Sequence, residues 1–79
     1  MGARSHEPIP HLVRDLRLLR QRLALLDTEI AALSGLSYLT VRACRRDGHV
    51  PSKRPTRERL AAFVARAKRA GNRQELGLP

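Results

Sequence analysis

Cysteine and aromatic side chains are almost absent from this chain. A single cysteine, Cys44, excludes an intramolecular disulfide. The three histidines, His6, His11 and His49, have no ligand spacing, so neither a metal site nor a cofactor is expected. Tryptophan is missing, and Tyr38 and Phe63 are the only other aromatics. Proteins that hold single-stranded nucleic acid stack bases on several aromatic rings, so that class is disfavoured. No apolar run approaches the ~20 residues of a membrane span, and the first ten residues lack the apolar stretch of a signal peptide. A reducing, cytoplasmic setting without membrane contact is therefore expected. No Gly-rich phosphate loop and no nucleophile–base arrangement is present, so neither an enzyme nor a small-molecule ligand is indicated.

Acidic residues are also scarce: sixteen Lys and Arg face seven Asp and Glu, for a net charge of +9. The excess is unevenly placed. Residues 1–40 carry five Arg against four acids, whereas residues 41–79 carry eleven bases against three acids. Charge concentrated in one half of a chain points to a polyanionic partner. Seventy-nine residues make one domain that buries only about 60–65% of its unfolded surface, and self-association is a natural remedy for such a small core.

No segment shows the alternation of a strand. The pattern is all-α: a compact bundle of four short helices, with a fifth missing or reduced to the tail. Residues 1–8 read as a loose polar arm. The first helix runs from about Pro10 to Ala24, with Pro10 at its first position and Ile9, Leu12, Leu16, Leu19 and Leu23 on one stripe. Leu18 falls on the opposite face. Asp27 is the expected N-cap of a helix over Thr28–Ser34, and Ser37 of a helix over Tyr38–Arg46. Asp47-Gly48 ends that helix, and HVPSKRP is a loop. Thr56 caps a last helix over Arg57–Ala70, whose core stripe is Leu60, Phe63, Val64 and Ala67. Gly71-Asn72 stops it. Residues 9–71 thus form the domain, and residues 72–79 a tail in which Leu76 and Leu78 have no local partner.

The most informative stretch is Asp27–Arg46, DTEIAALSGLSYLTVRACRR. Gly35 suits a backbone that leaves a helix with positive φ, and Ser37 can cap the next helix. Ala31, four residues before Gly35, permits two helices to approach closely. Ile30, Leu36, Val41 and Cys44 supply buried contacts, with Leu36 and Val41 at the spacing of a hydrophobic staple. Cys44 is expected to be a small core residue rather than a redox sensor. Two short helices joined by a tight turn are the layout of a helix-turn-helix.

Across Leu19–Val64 the chain resembles the lambda-repressor-like, Cro/repressor-type (XRE) helix-turn-helix family. The resemblance rests on Ile30-Ala31, on Ser34-Gly35-Leu36-Ser37, and on Thr40-Val41. Gly48 and Pro51-Ser52 match the following loop, and Leu60–Val64 the next amphipathic helix. Three departures stand out. Asp27 occupies a position where the family often has a phosphate-binding Gln, the loop after the second motif helix is one residue longer, and the fifth, dimer-forming helix is missing or reduced.

The resemblance implies binding of double-stranded DNA by the helix that begins at Tyr38. Ser37, Tyr38, Leu39, Arg42, Ala43 and Arg46 are the expected base-reading residues: Arg42 can fork onto guanine, and Leu39 or Ala43 can touch a thymine methyl. Arg45, Lys53, Arg54 and Arg57 are expected phosphate clamps, joined by Thr28 and Thr56 at helix starts. Leu18, Leu76 and Leu78 are the expected dimer contacts. The function implied is a homodimeric transcriptional regulator, a repressor that occludes a promoter at an inverted-repeat operator, of the kind carried by phages and mobile elements. The alternative is an antitoxin-type or adaptor protein that uses the same fold to bind a protein.

Overall fold

Alternation of apolar and basic residues at helical spacing gives four helices in a computed structural model. It describes residues 8–79, with side chains from His11 onward. They are α1 (Pro8–Arg22), α2 (Asp27–Ser34), α3 (Tyr38–Asp47) and α4 (Arg54–Arg69), followed by a short 3₁₀ turn, Gln74–Leu76. The described residues contain no strand, and none of their helices is long and apolar enough to cross a membrane. The expected arm and the side chain of Ile9 lie outside the described residues, apart from Pro8.

Three of the four described helices, α1, α2 and α4, start earlier than their cap signals suggest. Pro8, not Pro10, opens α1, and the helix stops at Arg22. Ala24 then adopts φ +52°, the left-handed conformation that glycine usually supplies. The Leu25 N–H donates back to the Arg20 carbonyl at 2.9 Å. Asp27 does not cap α2. The N-cap is Leu26, whose backbone N–H donates to Glu29 Oε1 at 2.9 Å, while Asp27 is the first helical residue. Its carboxylate is drawn away by arginines, which leaves the capping work to Glu29. Thr56 does not cap α4 either: Lys53 holds the cap position and Pro55 sits in the first turn, where its missing N–H has no intrahelical role.

The turn between α2 and α3 follows the sequence closely. Gly35 has φ +76°, and the N–H groups of Gly35 and Leu36 both donate to the Ala31 carbonyl. The Ser37 hydroxyl oxygen accepts from the Thr40 N–H at 3.1 Å. Gly48, φ +71°, closes α3 in the same left-handed way as Gly35 closes α2.

All four helices turn apolar faces to one core. Leu16, Leu25, Ile30, Val41, Cys44 and Leu60 are fully enclosed, with Val13, Leu19, Leu23, Phe63, Val64 and Ala67 around them. Burial of each large aliphatic side chain stabilises the fold by about 1.5–3 kcal/mol. Cys44 is part of this core, and burial pushes its thiol pKa upward, which keeps it protonated and unreactive.

The tail departs from expectation. Leu76 is 2% exposed and belongs to the core, and Leu78 packs partly against it. Arg73 anchors this return by donating to the Ala24 carbonyl at 2.7 Å and by pairing with Glu29. Leu76 is therefore not available as a dimer contact, and residues 72–79 complete the domain rather than hang from it. Leu18 does match its expected place on the outer face of α1, at 57% exposure.

Candidate nucleic-acid interface

The α3 helix is fixed from behind by an ion-pair cluster. Asp27 is nearly buried, and Arg45 grips it with two nitrogens: Nε to Oδ1 at 2.8 Å and the terminal nitrogen to Oδ2 at 2.6 Å. Arg20 of α1 adds a bond to Oδ1 at 3.1 Å. Arg17 of α1 donates to the Arg45 carbonyl at 2.8 Å. Hydrogen bonds from Arg45, with those from Arg20, hold the Asp27 carboxyl below the ordinary carboxylate range against the opposing effect of burial. The same contact pushes the Arg45 pKa up. α1, the start of α2 and the end of α3 are thus joined through one carboxylate.

This cluster corrects two expected roles. Arg45 is not a free phosphate clamp, because its guanidinium is committed to Asp27. Arg57 is half-buried and donates to the carbonyls of Ser52 at 2.6 Å and Pro51 at 3.3 Å. It shapes the loop between α3 and α4 from inside. Single-sequence reading counts both as surface cations because their partners lie 18 and 5–6 residues away.

The outward face of α3 keeps the remaining expected residues together. Ser37, Tyr38, Leu39, Arg42 and Arg46 are exposed, and Ala43 is half-buried. Arg42 and Arg46 make no hydrogen bond or ion pair among the described residues. Leu39 and Ala43 line two shallow depressions. One, of about 420 Å³, extends past Thr40, His49, Ser52 and Lys53 to Thr56. The other, of about 220 Å³, is bounded by Arg42, Arg46 and Asp47.

Lys53 and Arg54 are exposed at the start of α4. Arg54 pairs with Glu58 at 3.1 Å, but with side chains 81% and 65% exposed this i,i+4 pair is easily surrendered to another anion. Thr28 is exposed in the first turn of α2, and Thr56 is half-buried in the first turn of α4. Thr40, His49 and Ser52 also join this surface, although nothing in their sequence context marks them for it. Thr40 reads as a helix-start residue and His49 and Ser52 as loop residues, and only the return of the loop beside α3 brings them together.

Most acids of the described chain are engaged elsewhere. Asp15 pairs with Lys68, Asp27 with Arg45, and Glu29 with Arg73, while Glu75 accepts from the Gly71 N–H. Asp47 is the one acid lining the depressions beside α3. The face is therefore cationic, with an apolar centre at Leu39 and Ala43. Among protein-family models, curated proteins and solved structures, none matches this chain.

Proposed function

We propose that this chain is a sequence-specific regulator that binds double-stranded DNA through the exposed face of α3, as the resemblance to the lambda-repressor-like family implies. The observation that carries the reading is the contrast between two sets of arginines. Arg20, Arg45 and Arg57 are consumed by internal partners, whereas Arg42 and Arg46 project from α3 with none among the described residues, beside the exposed Lys53. A helix stabilised from behind and cationic in front suits a major groove, where Arg42 and Arg46 can reach guanine or phosphate. Lys53 and Arg54 then follow the backbone, with the first-turn N–H groups of α4 as further donors. Thr28 offers a hydroxyl at the start of α2.

The proposed mode is repression by promoter occlusion. One α3 helix covers only a few base pairs, so an inverted-repeat operator and a homodimer follow from the need for specificity. Of the three expected dimer leucines, Leu18 alone remains well exposed and becomes the proposed contact. The adaptor alternative draws on the same exposed leucine but leaves the cationic α3 face without a use, whereas an antitoxin would use that face on DNA and bind a protein as well.

Selection of bound duplexes from a random pool tests the reading. An enriched inverted repeat occupied by two chains is expected. Failure to enrich any sequence, with equal retention of duplex RNA, would overturn it.

A further inference from the structure

Apolar packing does little to set the orientation of α3. Of its ten residues, only Val41 and Cys44 are fully enclosed, two small side chains one turn apart on a single line. Apolar contact is non-directional and leaves the helix free to roll about that line. The polar groups behind α3 supply the missing restraint. Asp27, at the start of α2 and 8% exposed, accepts from two nitrogens of Arg45 at 2.8 and 2.6 Å. Arg17 of α1 donates to the Arg45 carbonyl at 2.8 Å. It also lies beside Gly48, with a terminal nitrogen 3.6 Å from where a Cβ would stand. The side chain and the backbone of Arg45 are thus fixed from two different helices. In α3, Arg45 adjoins Arg46 and lies one turn from Arg42. Resting on the DNA-binding reading above, we infer that Asp27 is a specificity-determining positioning residue: it touches no DNA, and through Arg45 it sets the roll of α3 at which Arg42 and Arg46 meet base edges.

Such a restraint matters more to base contacts than to phosphate contacts. A roll of about 10° moves a side-chain tip about 6 Å from the helix axis through about 1 Å. Recognition requires groups held to about 0.5 Å and 10–20°, and a guanidinium forked onto a guanine edge must satisfy two hydrogen bonds at once. A cation on a phosphate acts largely through its charge, and a shift of about 1 Å changes that attraction little. The chain also departs here from the family it resembles. Where that family often carries a Gln that binds phosphate, this carboxylate faces inward onto Arg45 and Arg20. An anion turned outward at this place would repel a phosphate. Turned inward, it orders the helix that carries Arg42 and Arg46.

The test uses the full chain, a duplex obtained by selection and a scrambled duplex of equal length. Affinities are measured at a temperature where circular dichroism shows parent and variants folded. Asp27→Asn should lower the ratio of selected to scrambled affinity at least about fivefold per half-site, the loss of one forked base contact. Its affinity for the scrambled duplex and its salt slope should not fall, because no phosphate loses a cation. Arg45→Gln should lower the ratio similarly, and the double variant should lower it no further, as expected of one shared contact. Val64→Ala, a core change on α4 at a side chain 4% exposed, should destabilise the fold and keep the ratio of the parent. It separates lost stability from lost positioning, and an equal fall in its ratio would refute the inference. If Asp27→Asn weakens both duplexes alike, or leaves the ratio of a selective parent unchanged, Asp27 supports the fold alone; positioning is then wrong and DNA binding stands. If the two single losses add in the double variant, Asp27 does not act through Arg45 and the inference also fails. A parent that selects no duplex removes both this inference and the reading beneath it.

Discussion

Truncating Leu76 is the sharpest perturbation of this fold, because it sits three residues from the end of the sequence and yet inside the core. Its side chain is 2% exposed. Leucine-to-alanine changes at enclosed sites cost about 2–5 kcal/mol, the larger values where the surroundings cannot collapse. The lid over this site is a 3₁₀ turn tied down by Arg73, which bonds to the Ala24 carbonyl, Glu29 and the Pro79 carbonyl. A short lid can partly relax, so a value of about 3 kcal/mol is reasonable. A domain of this size has a total stability of about 4–12 kcal/mol. Leu76→Ala should therefore remove a quarter or more of it. With a urea slope of about 1 kcal/mol/M, the midpoint followed by helical circular dichroism should fall by about 3 M. Leu18→Ala, on the open face of α1, should stay within about 0.5 kcal/mol of the parent. If Leu76→Ala melts with the parent, the tail does not close the core and the account of residues 72–79 is wrong.

Other perturbations probe the backbone and the ion pairs. Ala24→Gly should raise stability by about 1 kcal/mol in the same urea assay, because it relieves a left-handed alanine; a loss would show that this end of α1 is not strained. Gly35→Val should destabilise by about 1–3 kcal/mol through backbone strain alone, since a Cβ there meets no neighbour within 4 Å. Arginine and lysine partners hold the carboxyl groups of Asp15, Asp27 and Glu29 below their ordinary values in the folded chain. Their contribution is complete above the unfolded carboxylate pKa and is lost as pH falls through the lower folded values. The urea midpoint should thus be flat near neutrality and drop below about pH 4. Asp27→Asn should lower the neutral-pH stability by about 1–2 kcal/mol, the low part of the range for a charged hydrogen bond because Arg20 and Arg45 keep contact with water. It should also flatten the acid limb, and an unchanged limb would remove Asp27 from the account.

Much of the fold is legible in sequence where the signal is local. The left-handed glycine at position 35, the Ser37 cap and the Leu60–Phe63–Val64–Ala67 stripe depend on residues within one or two turns, and all take their expected places. The start of α2 is misleading because Asp27 is an excellent cap in isolation. A guanidinium 18 residues ahead outcompetes the backbone for its carboxylate. Thr56 yields its cap role for a different reason: Pro55 suits a first turn, and α4 already begins at Arg54.

The tail and the cationic surface show where single-sequence reasoning runs out. Nothing near Leu76 indicates burial, because the core that receives it is assembled from distant helices. Arg45 and Arg57 look like Arg42 and Arg46 on a helix wheel. What separates them is the Asp27 carboxylate and two loop carbonyls, and these meet the arginines only after the chain folds. The division into internal and outward cations is thus a tertiary property, and it sharpens the expected interface to Arg42, Arg46, Lys53 and Arg54.

That division is also the central claim, and the salt dependence of duplex affinity tests it most directly. Each phosphate that a substitution leaves without its cation should reduce the slope of log K against log salt by about 0.9 on B-DNA. Lys53→Ala, on the outward set, should lower the slope by about one and weaken all sequences alike. Arg57→Ala, on the internal set, should leave the slope unchanged. A slope that responds equally to both substitutions, or an affinity indifferent to salt, would contradict the account.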